Sequence, residues 1–135
     1  MATVTTSVFS RTFKDLDLNF TIHPVKKDIN KRLNEQAITN SLKNLVLTNF
    51  YERPFHPTIG SNVRRLLFDN VDMLTASLLE REIRECILNF EPRVQVYTVD
   101  VQPNIDNNRY DISVQFFIVN TTLPITVNFY LERVR

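Results

Sequence analysis

Carboxylates are the side chains in this sequence most suited to catalysis, and the first question is whether two of them form an acid–base pair. Glycoside cleavage needs one carboxyl group that donates a proton and a second that acts as base or nucleophile. The acidic candidates are Glu52, Asp69, Glu80, Glu85 and Glu91. Their spacing singles out no pair, and charged helix faces usually just face water. The residues alone therefore predict no catalytic pair.

Metal, nucleophile and phosphate sites lack the residues that they require. His23 and His56 lie far apart, and Cys86 falls on the apolar side of a predicted helix, so no zinc set and no reactive thiol are indicated. No serine has an activating context. Because Gly60 is the single glycine, glycine-rich phosphate loops and dinucleotide motifs are excluded. We predict no catalytic residue, no metal and no cofactor.

Composition predicts an ordinary globular protein. The 135 residues are 43% hydrophobic and 23% charged, with a formal net charge of +1. Basic residues never form a run longer than two, which argues against nucleic-acid or membrane partners. The sequence has neither a signal-peptide pattern nor an apolar run of membrane-spanning length. We expect residues 1–19 to form an N-terminal tail or arm, and residues 20–135 to form a single domain.

Helical periodicity dominates the first part of that domain. A helix is predicted over residues 35–47, with Asn34 as its N-cap and an apolar stripe of Ile38, Leu42, Leu45 and Val46. A short helix follows near Val63. A long helix begins near Asp72 and ends at Pro92, because proline disfavours helical geometry in the residue before it. Gly60 is expected where the backbone needs a positive φ or a close approach.

The pattern changes to strict alternation after Arg93. Three strands are predicted, over residues 94–101, 110–118 and 125–131, joined by turns rich in Asn, Asp and Thr. Sequential strands with short turns favour an antiparallel meander. The predicted class is therefore α+β, with N-terminal helices packed on one face of a C-terminal antiparallel β-meander.

Two motifs remain as candidate sites. The first is the corner at residues 91–93, which ends the long helix; its alternative interpretation is a helix stop whose charges are solvated or paired locally. The second is the run Glu52, Arg53, Pro54 and Phe55, followed by His56 and Pro57. Its alternative interpretation is a structured loop that packs Phe55 into the core. Composition alone favours the structural interpretation in both cases.

The order of these motifs resembles a known family. The sequence runs from Asn44-Leu45-Val46-Leu47-Thr48 through Glu52-Arg53-Pro54-Phe55-His56-Pro57 and Gly60-Ser61-Asn62 to Phe90-Glu91-Pro92-Arg93. This is similar to the small baseplate wedge protein of contractile phage tails, a sheath-initiator family shared with the type VI secretion baseplate and formerly labelled lysozyme-like. One departure is Phe50-Tyr51, where relatives often carry Pro-Gly. The turn there is expected to be made differently, with Asn49 as the candidate.

The resemblance implies an architectural role in the virion tail baseplate, after assembly in the host cytoplasm. Glu91, Pro92 and Arg93 would dock on the helical core bundle of other wedge proteins, and Glu52, Arg53, Pro54 and Phe55 are further partner-binding candidates. The sheet would template the first layer of tail sheath by strand addition, through the last strand or the N-terminal arm. Proteins near the tail tube are further implied partners.

One expectation about variants follows from this resemblance. Glu91→Ala or Arg93→Ala should leave the domain folded but block assembly of wedge or sheath. The competing class is a peptidoglycan-cleaving tail hydrolase with paired carboxylates, for which Glu52 and Glu91 are the candidates. A standalone adaptor domain is a third alternative.

Overall fold

The chain forms two compact units, Met1–Ala37 and Ile38–Arg135. A computed structural model describes residues 13–17, 19–29, 31–119 and 121–134. Most of the predicted arm lies outside these residues, and its boundary after residue 19 stays a prediction. The described part of the arm contains β1 (Lys14–Leu16), which pairs antiparallel with β2 (Lys31–Leu33) in the same unit.

Helix α1 (Asn34–Leu47) begins where β2 ends. The prediction that Asn34 acts as an N-cap needs correction, because its side-chain oxygen accepts a hydrogen bond from the backbone N–H of Phe13 at 3.1 Å. Asn34 also has a positive φ of 46°. Its amide side chain therefore ties the helix start to the first unit's hairpin. The predicted apolar stripe is confirmed, since Ile38, Leu42, Leu45 and Val46 are all buried.

Helices α2 (Val63–Leu66) and α3 (Met73–Phe90) belong to the second unit. Asp72 caps α3, its carboxylate accepting from the backbone N–H of Thr75 at 2.7 Å. This bond holds the pKa of Asp72 below its usual range. Leu79, Ile83 and Ile87 line the buried side of α3. Within the described ranges, none of the helices combines the length and apolarity that a bilayer crossing needs.

The sheet is the predicted antiparallel meander. Its strands are β3 (Val94–Asn104), β4 (Arg109–Ile118) and β5 (Pro124–Glu132), in the order β3-β4-β5. Burial alternates along β4, so that one face packs toward the core and the other is half-exposed. Helix α3 packs against β3. The α+β class is confirmed, and the passage from α3 into β3 lies at residues 91–93.

Candidate functional site

The corner at residues 91–93 is a sharp turn between the longest helix and the sheet. The Glu91 backbone leaves helical geometry at φ −121° and ψ 83°, while its N–H still donates to Ile87 O. Pro92 disfavours helical geometry in the residue before it, which agrees with the end of α3 at this point. Pro92 is exposed, and Val94 opens β3. The backbone thus presents a rigid proline at the junction.

The Glu91 carboxylate is buried and fully engaged inside the domain. Only 4% of the residue is exposed. Arg93 binds it with two hydrogen bonds, Nε to Oε1 at 2.6 Å and Nη2 to Oε2 at 2.8 Å, and Ser41 Oγ donates to Oε2 at 2.7 Å. Paired bonds of this kind are the strongest that a guanidinium makes to a carboxylate. The corner is therefore clamped from within by three charge-assisted hydrogen bonds.

Opposing effects set the ionisation of Glu91. Burial by itself would raise the pKa of this carboxyl group, because the charged form loses hydration. Hydrogen bonds from Arg93 and Ser41, together with the positive charge of Arg93, outweigh burial and lower the pKa below its usual value of 4.5. Glu91 is thus ionised at neutral pH, which makes it unsuitable as the proton donor of a hydrolase.

The direction of this pKa shift predicts the pH dependence of stability. A carboxyl group whose pKa is lower in the folded state stabilises the fold above its unfolded pKa, and this stabilisation is lost as the pH falls through the folded pKa. We therefore expect the free energy of unfolding to fall as the pH drops below about 4.5. Urea unfolding across the acid range measures it. Arg93→Ala should flatten this pH dependence, and an equally steep loss in that variant would contradict the assignment.

The second candidate, the loop between α1 and α2, turns its predicted site residues outward. Glu52, Arg53, Pro54 and Phe55 are all exposed, and Phe55 reaches 96% exposure. The alternative that packs Phe55 into the core is therefore wrong. The Glu52 carboxylate folds back, accepting from the Asn49 backbone N–H at 2.8 Å and from Asn49 Nδ2 at 3.2 Å. Its Oε2 is used to close the turn.

Gly60 anchors this loop against the end of α1. It has a φ of 158°, and an added Cβ would lie 2.6 Å from the backbone carbon of Asn49 and 2.7 Å from the backbone nitrogen of Phe50. Its neighbour Ser61 donates its N–H to Thr48 O at 2.9 Å and its Oγ to Val46 O at 2.7 Å. The predicted close backbone approach at Gly60 is confirmed.

The turn expected to depart from the family pattern is made by Tyr51. Its φ is 67°, and the N–H of Glu52 donates to Asn49 O at 3.2 Å, which closes a four-residue turn. Tyr51 therefore takes the left-handed conformation that a glycine would adopt easily. Asn49, the residue expected to manage this turn, contributes instead by binding Glu52.

Cys86 and the carboxylates proposed for a hydrolase do not form a catalytic arrangement. Burial raises the pKa of Cys86 to about 12, with a further contribution from the charge of Glu82, and its Sγ contacts Gly60 O at 3.4 Å. Glu52 and Glu91, the hydrolase candidates, are each committed to a local partner. In the part of the chain that the structure describes, no cluster of metal-ligating residues occurs.

Ser41 is the residue that sequence reasoning missed. It is half-buried on α1, and it is far from Glu91 in sequence. Its one sequence signal was its place beside the apolar stripe of that helix, where a hydroxyl group needs a partner. The structure thus brings Ser41, Glu91 and Arg93 together at one site. Partner binding by Glu91, Pro92, Arg93 and the Glu52, Arg53, Pro54 and Phe55 run stays a prediction.

Solved structures define the class of fold. A protein chain in the cryo-electron microscopy structure of the anti-feeding prophage baseplate superposes with a TM-score of 0.70 at 20% identity, covering 82% of this chain and 89% of that one. A Geobacter sulfurreducens protein described provisionally as a tail lysozyme gives a TM-score of 0.69 at 22% identity, covering 75% and 92%. These likenesses establish a shared α+β fold, one found in a baseplate.

Sequence comparison then gives the family. The model of the family described as baseplate wedge protein gp25 matches residues 32–122. The baseplate wedge protein gp25 of Enterobacteria phage T4 is 33% identical over 94 residues, which are 70% of this chain and 71% of that protein. The chain belongs to the baseplate wedge protein gp25 family, and it is a structural component of a contractile-tail type of baseplate.

Proposed function

We propose that this chain is a non-catalytic wedge subunit that docks on the core bundle of larger wedge proteins and templates the first layer of the tail sheath. The observation that carries the docking role is the clamped corner. Pro92 is exposed, while the Glu91 carboxylate holds Arg93 by two hydrogen bonds. A corner that is already rigid loses little conformational entropy when a partner binds it.

This arrangement divides the roles of the three corner residues. Glu91 is buried, so it acts as a positioning residue that fixes the guanidinium. The Arg93 side chain is 24% exposed, and it is therefore the charged group of the corner that can face a partner, next to Pro92. A partner that offers a carboxylate or a helix C-terminus would complement this charge.

The sheet supports the sheath-templating role through its β5 edge. β3 is protected against strand addition by a register irregularity between Val96 and Thr98, by Asp100 and by Pro103. β5 has its proline at the first position and its one charged residue, Glu132, at the last. The backbone groups between them are the ones suited to pairing with an added strand.

A groove with a largely apolar lining lies beside the end of β5. It has a volume of about 570 Å³, and its apolar lining includes Val46, Val63, Leu67 and Leu131. Side chains of an added strand alternate in direction, so every second one could enter this groove. Strand addition at β5 would then combine main-chain hydrogen bonds with apolar contacts. The N-terminal arm, the other predicted pairing segment, lies largely outside the described residues.

A proline at Asn128, in the middle of β5, tests this templating role. Asn128 is exposed and pairs with Ser113 of β4. Asn128→Pro is expected to abolish sheath polymerisation on assembled baseplates, because proline donates no main-chain hydrogen bond. Asn128→Ala keeps the N–H and should polymerise sheath like the unchanged protein. Circular dichroism must show that the proline variant remains folded; normal sheath on the folded proline variant would contradict the role of β5.

A hydrolase function has a direct test. Purified protein is incubated with cell-wall sacculi, and turbidity is followed beside a known lysozyme. The account predicts no turbidity loss, since the Glu91 carboxyl group is ionised and paired with Arg93. Turbidity loss that disappears in both Glu52→Gln and Glu91→Gln would support the hydrolase instead.

A further inference from the structure

Two aromatic side chains of the loop between α1 and α2 are exposed to solvent and do not pack into the core. Tyr51 is 84% exposed and Phe55 is 96% exposed. We call this pair the aromatic tip. Large aromatic side chains normally lie at least partly buried, because hydration of their apolar surface is unfavourable. Among the described residues of the second unit, the packing leaves both rings largely in solvent.

Both residues of the aromatic tip also have strained backbones. Tyr51 has a φ of 67° at the third position of the turn that begins at Asn49, and Phe55, which follows Pro54, has a φ of 68°. A turn whose third residue has a positive φ usually carries glycine or asparagine at that position. Backbone strain of this kind persists where surrounding structure enforces it, and it concentrates at functional sites. The combination of exposed aromatic rings and strained backbone favours a role in binding another molecule.

The loop that carries the aromatic tip is closed by hydrogen bonds and stiffened by prolines. Tyr51 N–H donates to Pro57 O at 2.9 Å, closing the segment between them, and Glu52 closes the turn at its base. Pro54 and Pro57 have fixed φ angles. The rings are therefore presented from a preorganised loop, which reduces the entropy lost on binding. A fixed presentation suits a shaped protein pocket better than a fluid lipid surface.

The charged residues of this loop favour one kind of partner. The exposed Arg53 lies between the two aromatic residues in sequence, whereas the Glu52 carboxylate is turned back to Asn49. We propose that the aromatic tip inserts into an apolar pocket on another wedge protein whose rim carries carboxylates. This rests on the proposed function as a wedge subunit, and it names a second docking surface separate from the corner at residues 91–93.

Site-specific photocrosslinking tests this proposal in the assembled wedge. Phe55 is replaced by p-benzoylphenylalanine in the full chain, which is co-expressed with the other wedge proteins and irradiated. The expected product is one crosslink to an apolar residue flanked by Asp or Glu on a wedge partner. The same substitution at Ile105, which is 72% exposed in the β3–β4 turn, provides the matched control. Crosslinks confined to this chain, or identical products from both positions, would overturn the proposal.

Two glycine variants separate binding from folding. Tyr51→Gly and Phe55→Gly relieve a positive φ, so each should keep or raise the thermal unfolding midpoint while reducing incorporation into the wedge at least about tenfold, as expected for an interface hot spot. A lowered midpoint would show that the rings support the fold and would overturn the inference. Loss of flotation with phosphatidylglycerol vesicles, in place of loss of wedge incorporation, would identify a membrane contact and overturn it as well.

The control variant distinguishes this inference from the proposed function. Ile105→Gly should incorporate into wedges like the unchanged protein. If the unchanged protein and all three variants incorporate equally, the aromatic-tip inference fails while the wedge function stands. If the unchanged protein itself does not enter wedges, the proposed function fails and this inference fails with it.

Discussion

Arg93→Ala is expected to lower the free energy of unfolding at neutral pH by about 3 kcal/mol, the low end of the range for breaking a buried ion pair. The substitution leaves the Glu91 carboxylate, which is 4% exposed, with Ser41 as its remaining side-chain partner described above. The low end applies because Arg93 itself is 24% exposed, so water can partly replace it. Urea unfolding followed by far-ultraviolet circular dichroism measures the change.

A second substitution identifies the cause of that loss. In the Arg93→Ala background, Glu91→Gln removes the buried charge, and it should recover more than half of the lost stability. Arg93→Lys keeps a positive charge but cannot form the paired bonds, so its effect should be intermediate. An Arg93→Ala variant within about 0.5 kcal/mol of the unchanged protein, the range of ordinary surface substitutions, would refute the internal clamp.

Gly60→Ala should be similarly disruptive, lowering the free energy of unfolding by about 3 kcal/mol, the upper part of the range for overpacking. The new Cβ would lie 2.6 to 2.7 Å from backbone atoms of Asn49 and Phe50, which cannot move aside as the end of a flexible side chain can. The loop would have to separate from the end of α1 and lose the Ser61 N–H bond to Thr48 O. Thermal unfolding of the purified variant measures the loss.

The nearby exposed Thr58 provides the control for Gly60. Thr58→Ala changes the same loop without adding an atom against the backbone, and it should alter stability by less than about 0.5 kcal/mol. Equal stabilities for Gly60→Ala and Thr58→Ala would mean that the loop accommodates a Cβ, and that the close approach to Asn49 does not hold it in place.

The fold was predictable because periodicity reports burial directly. Leu79, Ile83 and Ile87 recur at helical spacing, and all three are buried on α3. Alternation along β4 likewise predicted which residues face the core. Both patterns follow from the regular spacing of residues in a helix or a strand. They can therefore be recognised without knowing which distant residues pack against that element. The start of α3 near Asp72 was predicted as well, and the structure shows that the Asp72 side chain caps it.

The position of the corner at residues 91–93 was predictable from the sequence, but its side-chain contacts were not. Pro92 indicated the corner, yet the Glu91 carboxylate also accepts a hydrogen bond from Ser41 of a different helix, which no local pattern specifies. Sequence reasoning therefore expected Glu91→Ala and Arg93→Ala to leave the domain folded, whereas the buried pair predicts that both lose stability. The φ angle of Tyr51 was hidden too, because aromatic residues rarely adopt it.

This difference matters for testing the docking role. Failed assembly by an Arg93→Ala variant would have two explanations, a lost contact and a weakened fold. Pro92 offers a cleaner test, because it is exposed at the centre of the corner and makes no part of the clamp described above. A charged side chain there would lie in any interface that covers the corner, and the substitution replaces neither Glu91 nor Arg93.

The most direct measurement is therefore co-purification of wedge complexes containing Pro92→Glu, with Ile105→Glu as the matched control. Ile105 is also exposed, but it follows the opposite end of β3. Both variants should unfold within a few degrees of the unchanged protein. The account predicts that Ile105→Glu enters the wedge normally and that Pro92→Glu is excluded at least about tenfold, as for a central interface residue. Equal incorporation of both folded variants would contradict docking through residues 91–93.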